Sequence, residues 1–394
     1  MKTKNVSETT RDTYLPYGKQ WIDEEDIEAV VKVLKGDYLT TGPAIQAFEQ
    51  KVAEYVGAKF AVAFSNGTAA LHGACFAAGI GNGDEVITTP MTFAASANCV
   101  LYQGGTVVFA DIDPKTYNID PNEIANKITK NTKAIIPVDF TGQPVELDKI
   151  HELAKKHDLV VIEDAAHAIG AEYKGKKVGS LSDMTMFSFH PVKHVTSGEG
   201  GMIVTNNKKY YEKLLQFRSH GITRDTELMQ ENHGPWYYEM QFLGYNYRMT
   251  DFQAALGCSQ MDKIDMFVEK RKEIVAKYNQ AFQEIPEVIT PFQNESGDSS
   301  WHLYIIRLNL DDLSVGRKDI FEALQKQNVG VNVHYIPVHL LPFYQGLGYS
   351  KGSLPNAEKL YEEIISLPLF PAMTDQDVED VISIFTQTVK TYSK

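Results

Sequence analysis

The chain has 394 residues, of which 43% are hydrophobic, so it can bury a large core and is expected to form one large domain and a smaller one. Its formal net charge of −13 provides no basic surface for nucleic acid or an anionic membrane, but does not exclude a local anion site. Its three cysteines lack CxxC spacing, and its polar N-terminus lacks a signal peptide, so we expect a cytoplasmic protein with reduced thiols and no membrane span.

The first part of the chain alternates helix-like and strand-like segments. After the polar residues 1–13, apolar residues at helical spacing predict one helix around residues 27–34 and another around residues 48–55, joined by an irregular connector. Short apolar runs predict buried strands at residues 60–64, 85–88, 106–110, 133–138 and 159–163. Strands separated by helix-length segments are typical of a mostly parallel sheet covered by helices, so the predicted fold class is α/β.

Two strand ends carry residues suited to ligand binding. At residues 65–68, the sequence Ser-Asn-Gly-Thr turns a strand into a helix, whose free N–H groups suit a phosphate. Gly67 would allow close approach and Thr68 would add a hydroxyl, although Thr68 could simply be the N-cap. Asp164 follows another strand, where ligands of open α/β sheets bind, but it could equally cap the next helix.

Lys193 lies in a loop between two apolar runs. Pro191 and three following glycines exclude a regular helix or an uninterrupted strand there. A lysine fixed in such a loop can be desolvated, which lowers its pKa and makes it a nucleophile able to form Schiff bases. His190 and His194 have the spacing of a metal pair, but Pro191 breaks the helix that would align them, so we predict no metal site.

The rest of the chain predicts a long polar loop and then a smaller α+β region. A capping box at Thr250 starts a predicted helix that reaches about Phe282. Strands are predicted at residues 303–308 and 331–335, with helices starting near residues 318, 357 and 375. We divide the chain into a large α/β domain over residues 1–250 and a small C-terminal α+β domain over residues 251–394.

Several motifs in one order carry a family resemblance. They are the Ser-Asn-Gly-Thr turn, Glu163–Ala168, the segment from Ser188 to Gly201, and Gly-Tyr-Asn-Tyr-Arg at residues 244–248. Over residues 15–390 the chain resembles the sugar aminotransferases of the DegT/DnrJ/EryC1/StrS family. The resemblance implies a fold type I aminotransferase with pyridoxal 5′-phosphate (PLP) as cofactor, or its aminated form PMP.

The resemblance also implies roles for individual residues. Lys193 would hold the cofactor covalently and move a proton between substrate and cofactor, and Asp164 would keep the pyridine nitrogen protonated so that the ring accepts electrons. Phe93 would form a platform over the ring, unless it is a core residue, and His167 would lie beside the cofactor. The predicted phosphate contacts are Gly67, Thr68, Ala69, Ser188 and, from the neighbouring subunit of a homodimer with shared sites, Asn246.

Within the family, lysine at position 193 favours transamination, because the related sugar dehydratases carry histidine there. Residues 14–20, 233–238 and 331–339 are most similar to the members of the pseudaminic-acid pathway. This implies transfer of an amino group from L-glutamate to C4 of UDP-2-acetamido-2,6-dideoxy-β-L-arabino-hex-4-ulose. The predicted substrate contacts are Leu39, Thr40, Arg248, His334 and Tyr335. Tyr335 could instead be a core residue, and Arg248 an ion-pair residue.

Two alternative functions stay open at this point. A sister aminotransferase could act on a D-configured UDP or dTDP 4-keto sugar that leads to bacillosamine, legionaminic acid or spore-coat polysaccharide. Alternatively, the chain could be a non-catalytic PLP-binding regulator. Against this, the nucleophile and the electron-sink residue are both present, and no DNA-binding appendage is visible. The sugar epimer, the nucleotide and the amino donor depend on pocket shape.

Overall fold

The computed structural model describes residues 10–394. Residues 1–13 are expected to be loose; residues 1–9 lie outside the described part, whereas Arg11 forms ion pairs with Asp377 and Asp380, so the expectation is wrong at that residue. The helices are α1 (Glu24–Leu34), α2 (Pro43–Val56), α3 (Gly67–Ala77), α4 (Ala95–Tyr102), α5 (Pro121–Lys127), α6 (Leu147–His157), α7 (Lys208–Phe217), α8 (Asp251–Met261), α9 (Ile264–Phe282), α10 (Arg317–Lys326), α11 (Pro342–Gly346), α12 (Pro355–Glu363) and α13 (Asp375–Tyr392). Short 3₁₀ helices cover Phe140–Gly142, Leu310–Asp312 and Val338–Leu340.

The strands are β1 (Phe60–Phe64), β2 (Glu85–Thr88), β3 (Thr106–Phe109), β4 (Thr132–Ile136), β5 (Val160–Asp164), β6 (Glu172–Tyr173), β7 (Lys176–Lys177), β8 (Met184–Ser188), β9 (Gly201–Thr205), β10 (Ile222–Thr223), β11 (Glu239–Met240), β12 (Val288–Ile289), β13 (Gly297–Asp298), β14 (Tyr304–Leu308) and β15 (Ile364–Leu367). The central sheet has seven strands in the order β1-β9-β8-β5-β4-β2-β3. β3, β2, β4, β5 and β8 are mutually parallel, while β9 is antiparallel to both of its neighbours. The α/β fold class is thus confirmed.

The strand register brings three separate turns to one edge of this sheet. Gly201, at the start of β9, pairs with Phe64 at the end of β1 and with Ser188 at the end of β8. Next to β8, β5 ends at Asp164, which pairs with Met186. Because parallel strands end on the same side, the α3 N-terminus and the residues after β5 and β8 converge there.

The predicted long helix after Thr250 is instead two helices. The capping box formed by Thr250 and Gln253 is present, but Lys263 has φ −108° and ψ 0°, outside the helical range, and separates α8 from α9. The Lys263 ammonium binds the carboxylates of Asp23, at 2.7 Å, and Asp26, at 2.9 Å, and so ties the turn to the start of α1. The chain can therefore change direction at this point.

The domain boundary at residues 250/251 stays a prediction. α8 packs on α1 and α2, and its Ala254 and Met261 belong to the apolar core that also contains Phe48. From Ile274 onward, α9 contributes to a different core, which includes Tyr304 and residues of α10 and α13. The change from one core to the other thus occurs along α9.

The C-terminal region has the predicted α+β character, but one strand prediction is wrong. β14 lies between β12 and β15, and α10, α12 and α13 begin close to the expected positions. Residues 331–335 form no strand and make a single bridge, from Asn332 to Ser366. The Ser366 hydroxyl lies 2.8 Å from His334 Nδ1. This segment is therefore joined to β15 by a side-chain contact in addition to the one bridge. Within residues 10–394, no helix is long and apolar enough to cross a bilayer.

Candidate active site

A cavity of about 990 Å³ opens at the carboxyl edge of the central sheet. Its wall combines the start of α3, the residues before α4, the end of β5 and the loop after β8 with His302 and residues 332–336 of the C-terminal region. The cavity brings together most of the predicted site residues, namely Gly67, Thr68, Ala69, Phe93, Asp164, His167, Ser188, Lys193, His334 and Tyr335.

Lys193 presents its amine to this cavity in an environment that disfavours the charged form. The pKa of Lys193 is lowered to about 7, mainly by burial; the carboxylate of Asp164 raises it and the positive charge of Arg271 lowers it. Nζ lies 3.5 Å from Nε2 of His302. Near neutral pH a large share of the amine is therefore uncharged, as a nucleophile requires.

Asp164 is a buried carboxylate fixed on two sides. Ser96 donates its hydroxyl to Oδ2 at 2.6 Å, and the N–H of Ala166 donates to Oδ1 at 3.1 Å. Burial raises the pKa of Asp164, while these two hydrogen bonds and the charge of Lys193 oppose the rise. Asp164 thus caps the following turn and also lines the cavity, so the two interpretations of this residue are compatible.

His167 and Tyr335 meet across the cavity. The Tyr335 hydroxyl lies 3.1 Å from Nε2 of His167. Burial holds the pKa of His167 well below its ordinary value, and the charge of Lys193 and the neighbouring imidazoles of His334 and His194 act in the same direction, so the His167 imidazole is neutral. Since the Tyr335 hydroxyl reaches a site residue and its side chain lines the cavity, Tyr335 is not simply a core residue.

The phosphate-type site predicted at the start of α3 has a different cap from the one considered for Thr68. Asn66 is the N-cap, because its Oδ1 accepts from the N–H of Ala69 at 2.8 Å. The N-cap interpretation of Thr68 is therefore wrong, and the Thr68 side chain lines the cavity. A Cβ placed on Gly67 would lie 3.5 Å from Cβ of Ser188, so the helix start and the Ser188 hydroxyl face one small space.

Phe93 is 63% exposed, so it is not a core phenylalanine. Its ring lines the cavity with its centroid 6.3 Å from that of Tyr335. An exposed aromatic face in a cavity can stack on a planar ligand.

Leu39, Thr40, Asn246 and Arg248 lie outside the cavity lining. Leu39 and Asn246 are exposed. Thr40 makes a backbone bridge to Thr250. Arg248 is half-buried and takes part in no ion pair within residues 10–394, so its ion-pair interpretation is not supported.

His190 and His194 lie in different surroundings. His190 is exposed at the cavity, whereas His194 is buried with Nε2 2.8 Å from the carbonyl oxygen of Ser300. Among residues 10–394, no cluster of three or more His, Cys, Asp or Glu side chains could hold a metal ion.

Sequence reasoning missed three polar residues of the site. They are Asn66, which caps α3, Ser96, which holds Asp164, and His302, which contacts Lys193. Asn66 had a local signal, because asparagine is a preferred N-cap residue directly before a helix, and α3 begins at Gly67. Ser96 and His302 had none, since their partners lie 68 and 109 residues away in the chain.

The sequence profile of the DegT/DnrJ/EryC1/StrS aminotransferase family matches residues 20–386. The chain belongs to this family. It is therefore a sugar aminotransferase, and the alternative of a non-catalytic regulator is set aside.

Two curated members of the DegT/DnrJ/EryC1/StrS family match almost the whole chain. The spore coat polysaccharide biosynthesis protein SpsC of Bacillus subtilis is 43% identical over 382 residues, which cover 96% of this chain and 98% of that protein. The UDP-4-amino-4,6-dideoxy-N-acetyl-β-L-altrosamine transaminase of Campylobacter jejuni is 40% identical over 382 residues, which cover 95% and 98%.

Solved structures agree with this assignment. Helicobacter pylori PseC, an aminotransferase involved in pseudaminic acid biosynthesis, superposes with a TM-score of 0.89 at 34% identity, covering 96% of this chain and 100% of that one. Spr1654 of Streptococcus pneumoniae in its PLP form gives a TM-score of 0.89 at 32% identity, covering 96% and 99%.

DegT/DnrJ/EryC1/StrS aminotransferases use PLP, and the residues of this cavity fit that cofactor. A phosphorylated pyridine aldehyde needs a reactive amine, an anion for its ring nitrogen and donors for its phosphate. Lys193, Asp164 and the start of α3 with Ser188 offer these groups within one cavity. Burial raises the pKa of Asp164, which shows that its charged form is disfavoured. A protonated ring nitrogen beside Asp164 would stabilise this charged form.

Proposed function

We propose that the enzyme transfers the amino group of L-glutamate to C4 of UDP-2-acetamido-2,6-dideoxy-β-L-arabino-hex-4-ulose, a step of pseudaminic acid biosynthesis. The observation that carries this proposal is the 40% identity to the C. jejuni altrosamine transaminase over nearly the full length of both chains. The similarity to H. pylori PseC at a TM-score of 0.89 supports it. The cavity volume of about 990 Å³ is at the upper end of the range typical of small-molecule sites, as a nucleotide sugar and a cofactor require.

In this proposal the chain's residues have the following roles. When bound, PLP supplies a carbonyl group that exchanges with amines and a ring that accepts electrons. Lys193 would hold the cofactor and, when its amine is free, would move a proton between the substrate carbon and the cofactor. Asp164 keeps a proton on the ring nitrogen, because its negative charge stabilises the protonated form. Thr68, Ser188 and the N–H groups at the start of α3 bind the phosphate.

We propose that the active unit is a cytoplasmic homodimer in which Asn246, Leu39, Thr40 and Arg248 serve the partner's cavity. These residues do not line their own cavity, which is what a contribution across a dimer requires. Large apolar side chains are exposed on α1 and on the connector that contains Leu39 and Thr40, and a second subunit would cover them. They are Ile27, Val31, Leu34, Tyr38 and Leu39.

Mixed dimers test the shared site. Lys193→Ala subunits and Asn246→Ala subunits are each expected to be weakly active or inactive alone. In a heterodimer both lesions fall in one site if Asn246 acts across the interface, which leaves the second site intact, so activity should recover in part. Proven subunit exchange without recovery would place Asn246 in its own subunit's site.

A second candidate substrate comes from another relative. The 43% identity to B. subtilis SpsC favours, as substrate, a 4-keto sugar destined for spore-coat polysaccharide. Lys193 would have the same role in that reaction. The two identities differ too little to separate the candidates, because substrate choice depends on a few wall residues of the cavity.

Substrate competition separates them. The purified enzyme is given glutamate together with the L-arabino 4-keto sugar and its D-xylo epimer, first as UDP and then as dTDP derivatives, and the products are identified by NMR. We expect the highest kcat/KM for the UDP L-arabino sugar, and Lys193→Ala should give no product. A clear preference for the D-xylo epimer or a dTDP sugar would replace the substrate assignment but leave the aminotransferase assignment intact.

A further inference from the structure

His302 is the side chain that contacts the amine of Lys193. It lies just before β14, is 4% exposed, and places Nε2 3.5 Å from Nζ of Lys193. Within the described residues 10–394, Nζ has no other hydrogen-bond partner and no ion pair. His302 therefore is well placed to influence the free amine.

Hydrogen bonds to Thr141 and Arg271 fix the backbone at His302. The His302 N–H donates to the carbonyl of Thr141 at 2.8 Å, and Nη1 of Arg271 donates to the carbonyl of His302 at 3.1 Å. The same Nη1 donates to the carbonyls of Trp301 and Leu369, at 3.3 and 2.9 Å. Arg271 is 1% exposed and forms no ion pair within residues 10–394, so these carbonyls are its binding partners.

Two residues of this arrangement adopt left-handed backbone conformations. Thr141 has φ 64° and Trp301 has φ 52°. Such conformations are strained for residues other than glycine and persist where the surrounding structure enforces them, most often at functional sites. The position of His302 next to Lys193 is thus enforced by contacts from α9, from the 3₁₀ helix at residues 140–142 and from the chain after Ser300.

The unpaired nitrogen of His302 indicates where its proton lies. Nδ1 is buried and has no hydrogen-bond partner within residues 10–394. An unsatisfied buried N–H costs more than an unsatisfied lone pair, since buried orphan donors are the rarer case in proteins. The proton therefore belongs on Nε2, which faces Lys193.

The imidazole carries only this one proton. Burial holds the pKa of His302 well below its ordinary value, and the charges of Lys193 and Arg271 and the neighbouring imidazoles of His167 and His194 act in the same direction. The titratable and charged groups that act on or are acted on by Lys193 are Asp164, His167, His190, His194, Arg271, His302 and His334. Asp164 is the one anion in this set, and it does not reach hydrogen-bond distance of Nζ.

We propose that His302 donates its Nε2–H to the lone pair of the free Lys193 amine and thereby keeps this amine neutral and in place. The inference rests on the proposed role of Lys193 as the reactive amine. A neutral amine is the form that can accept a proton from a substrate carbon. At 3.5 Å the contact is long, so it can break when Lys193 reacts.

The first test measures the pKa of Lys193 in the cofactor-free full chain. The rate of amine acylation at Lys193 is followed against pH by peptide mapping, in wild type, His302→Leu and His302→Gln. Leucine keeps the volume but cannot donate, so the pKa of Lys193 should rise by about one unit, a roughly tenfold loss of the neutral-to-charged ratio. Glutamine, whose amide can donate, should restore much of this ratio.

His151→Leu is the matched control. His151 is half-buried, lies 3.3 Å from the Ser182 hydroxyl and does not line the cavity. The His151→Leu substitution should leave the pKa of Lys193 unchanged. An unchanged or lowered pKa in His302→Leu would overturn the proposal, because a lowered value means that the imidazole accepts a hydrogen bond from the ammonium.

The second test determines the protonation state of His302 in the wild-type protein. Nitrogen-15 NMR of histidine-labelled, cofactor-free wild type should show His302 protonated at Nε2 alone, with His302→Gln used only to assign the signal. Protonation at Nδ1 alone would overturn the proposal. Neither measurement uses substrate, so both outcomes can be interpreted even if the proposed substrate is wrong. Borohydride reduction of the holoenzyme, with peptide mapping, shows independently whether Lys193 holds PLP.

Discussion

Gly201 is the position at which a single methyl group should damage the cofactor site. A Cβ there would lie 2.4 Å from the carbonyl oxygen of Asn66 and 2.6 Å from the N–H nitrogen of Gly67, far inside normal contact distances. Both obstacles are backbone atoms, so no side-chain rotation relieves the clash. Because β9 is hydrogen-bonded on both sides, Gly201→Ala should displace the turn that starts α3 rather than the strand.

Overpacking of a core typically costs about 1–3 kcal/mol, and the backbone obstacles here place Gly201→Ala near 3 kcal/mol. The same displacement moves the α3 N-terminus away from Ser188, so PLP affinity should fall by at least about tenfold, or roughly 1.4 kcal/mol. Urea unfolding of the cofactor-free protein gives the first quantity. Absorbance titration with PLP gives the second.

Gly81→Ala is the control. No atom lies within 4 Å of a Cβ at Gly81, and this glycine does not have a positive φ, so both quantities should stay near their wild-type values. If Gly201→Ala matched wild type in stability and in PLP affinity, the close approach of β9 and the α3 turn would be refuted. A loss of stability with unchanged affinity would show that the turn does not hold the phosphate.

Three further predictions concern the charged groups of the site. Asp164→Asn should bind PLP yet slow the half-reaction by about 100-fold or more, and near-normal single-turnover rates would contradict its role. Ser96→Ala removes a hydrogen bond that lowers the pKa of Asp164, so this pKa should rise and the acid limb of the kcat/KM–pH profile should move to higher pH. Folding lowers the pKa of Lys193 from 10.5 to about 7, so between these values the unfolded chain binds more protons and stability should rise with pH. In cofactor-free Lys193→Met, urea unfolding at several pH values should show a weaker rise, and an unchanged pH dependence would contradict the lowered pKa.

Local pattern was enough to predict much of the fold and the centre of the site. The strands ending at Phe64 and Asp164 are short apolar runs, and their identity depends on residues that are neighbours in the chain. The alternation with helices determines a mostly parallel sheet, and a parallel sheet places its strand ends on one edge. That reasoning pointed to Asp164, and the family resemblance grouped it with Lys193 and the turn at Gly67.

Short-range pattern failed where a long-range contact decides the local conformation. The helix predicted from Thr250 is divided at Lys263, which binds carboxylates at the start of α1, one of them on Asp23, 240 residues earlier in the chain. Residues 331–335 read as a strand but make one bridge, because His334 contacts Ser366 and Tyr335 contacts His167 instead. Strand propensity does not include such partners.

The sequence by itself determined the alternation of strands and helices in the first part of the chain, the family, and the amine and carboxylate of the site. Only the tertiary structure showed that Ser96 holds Asp164, that Arg271 and Thr141 fix the backbone of His302, and that His302 reaches Lys193. The physical reason is that burial and hydrogen bonding depend on which distant segments meet. The same histidine at position 302 would be an ordinary buried residue if the loop of Lys193 did not fold against it.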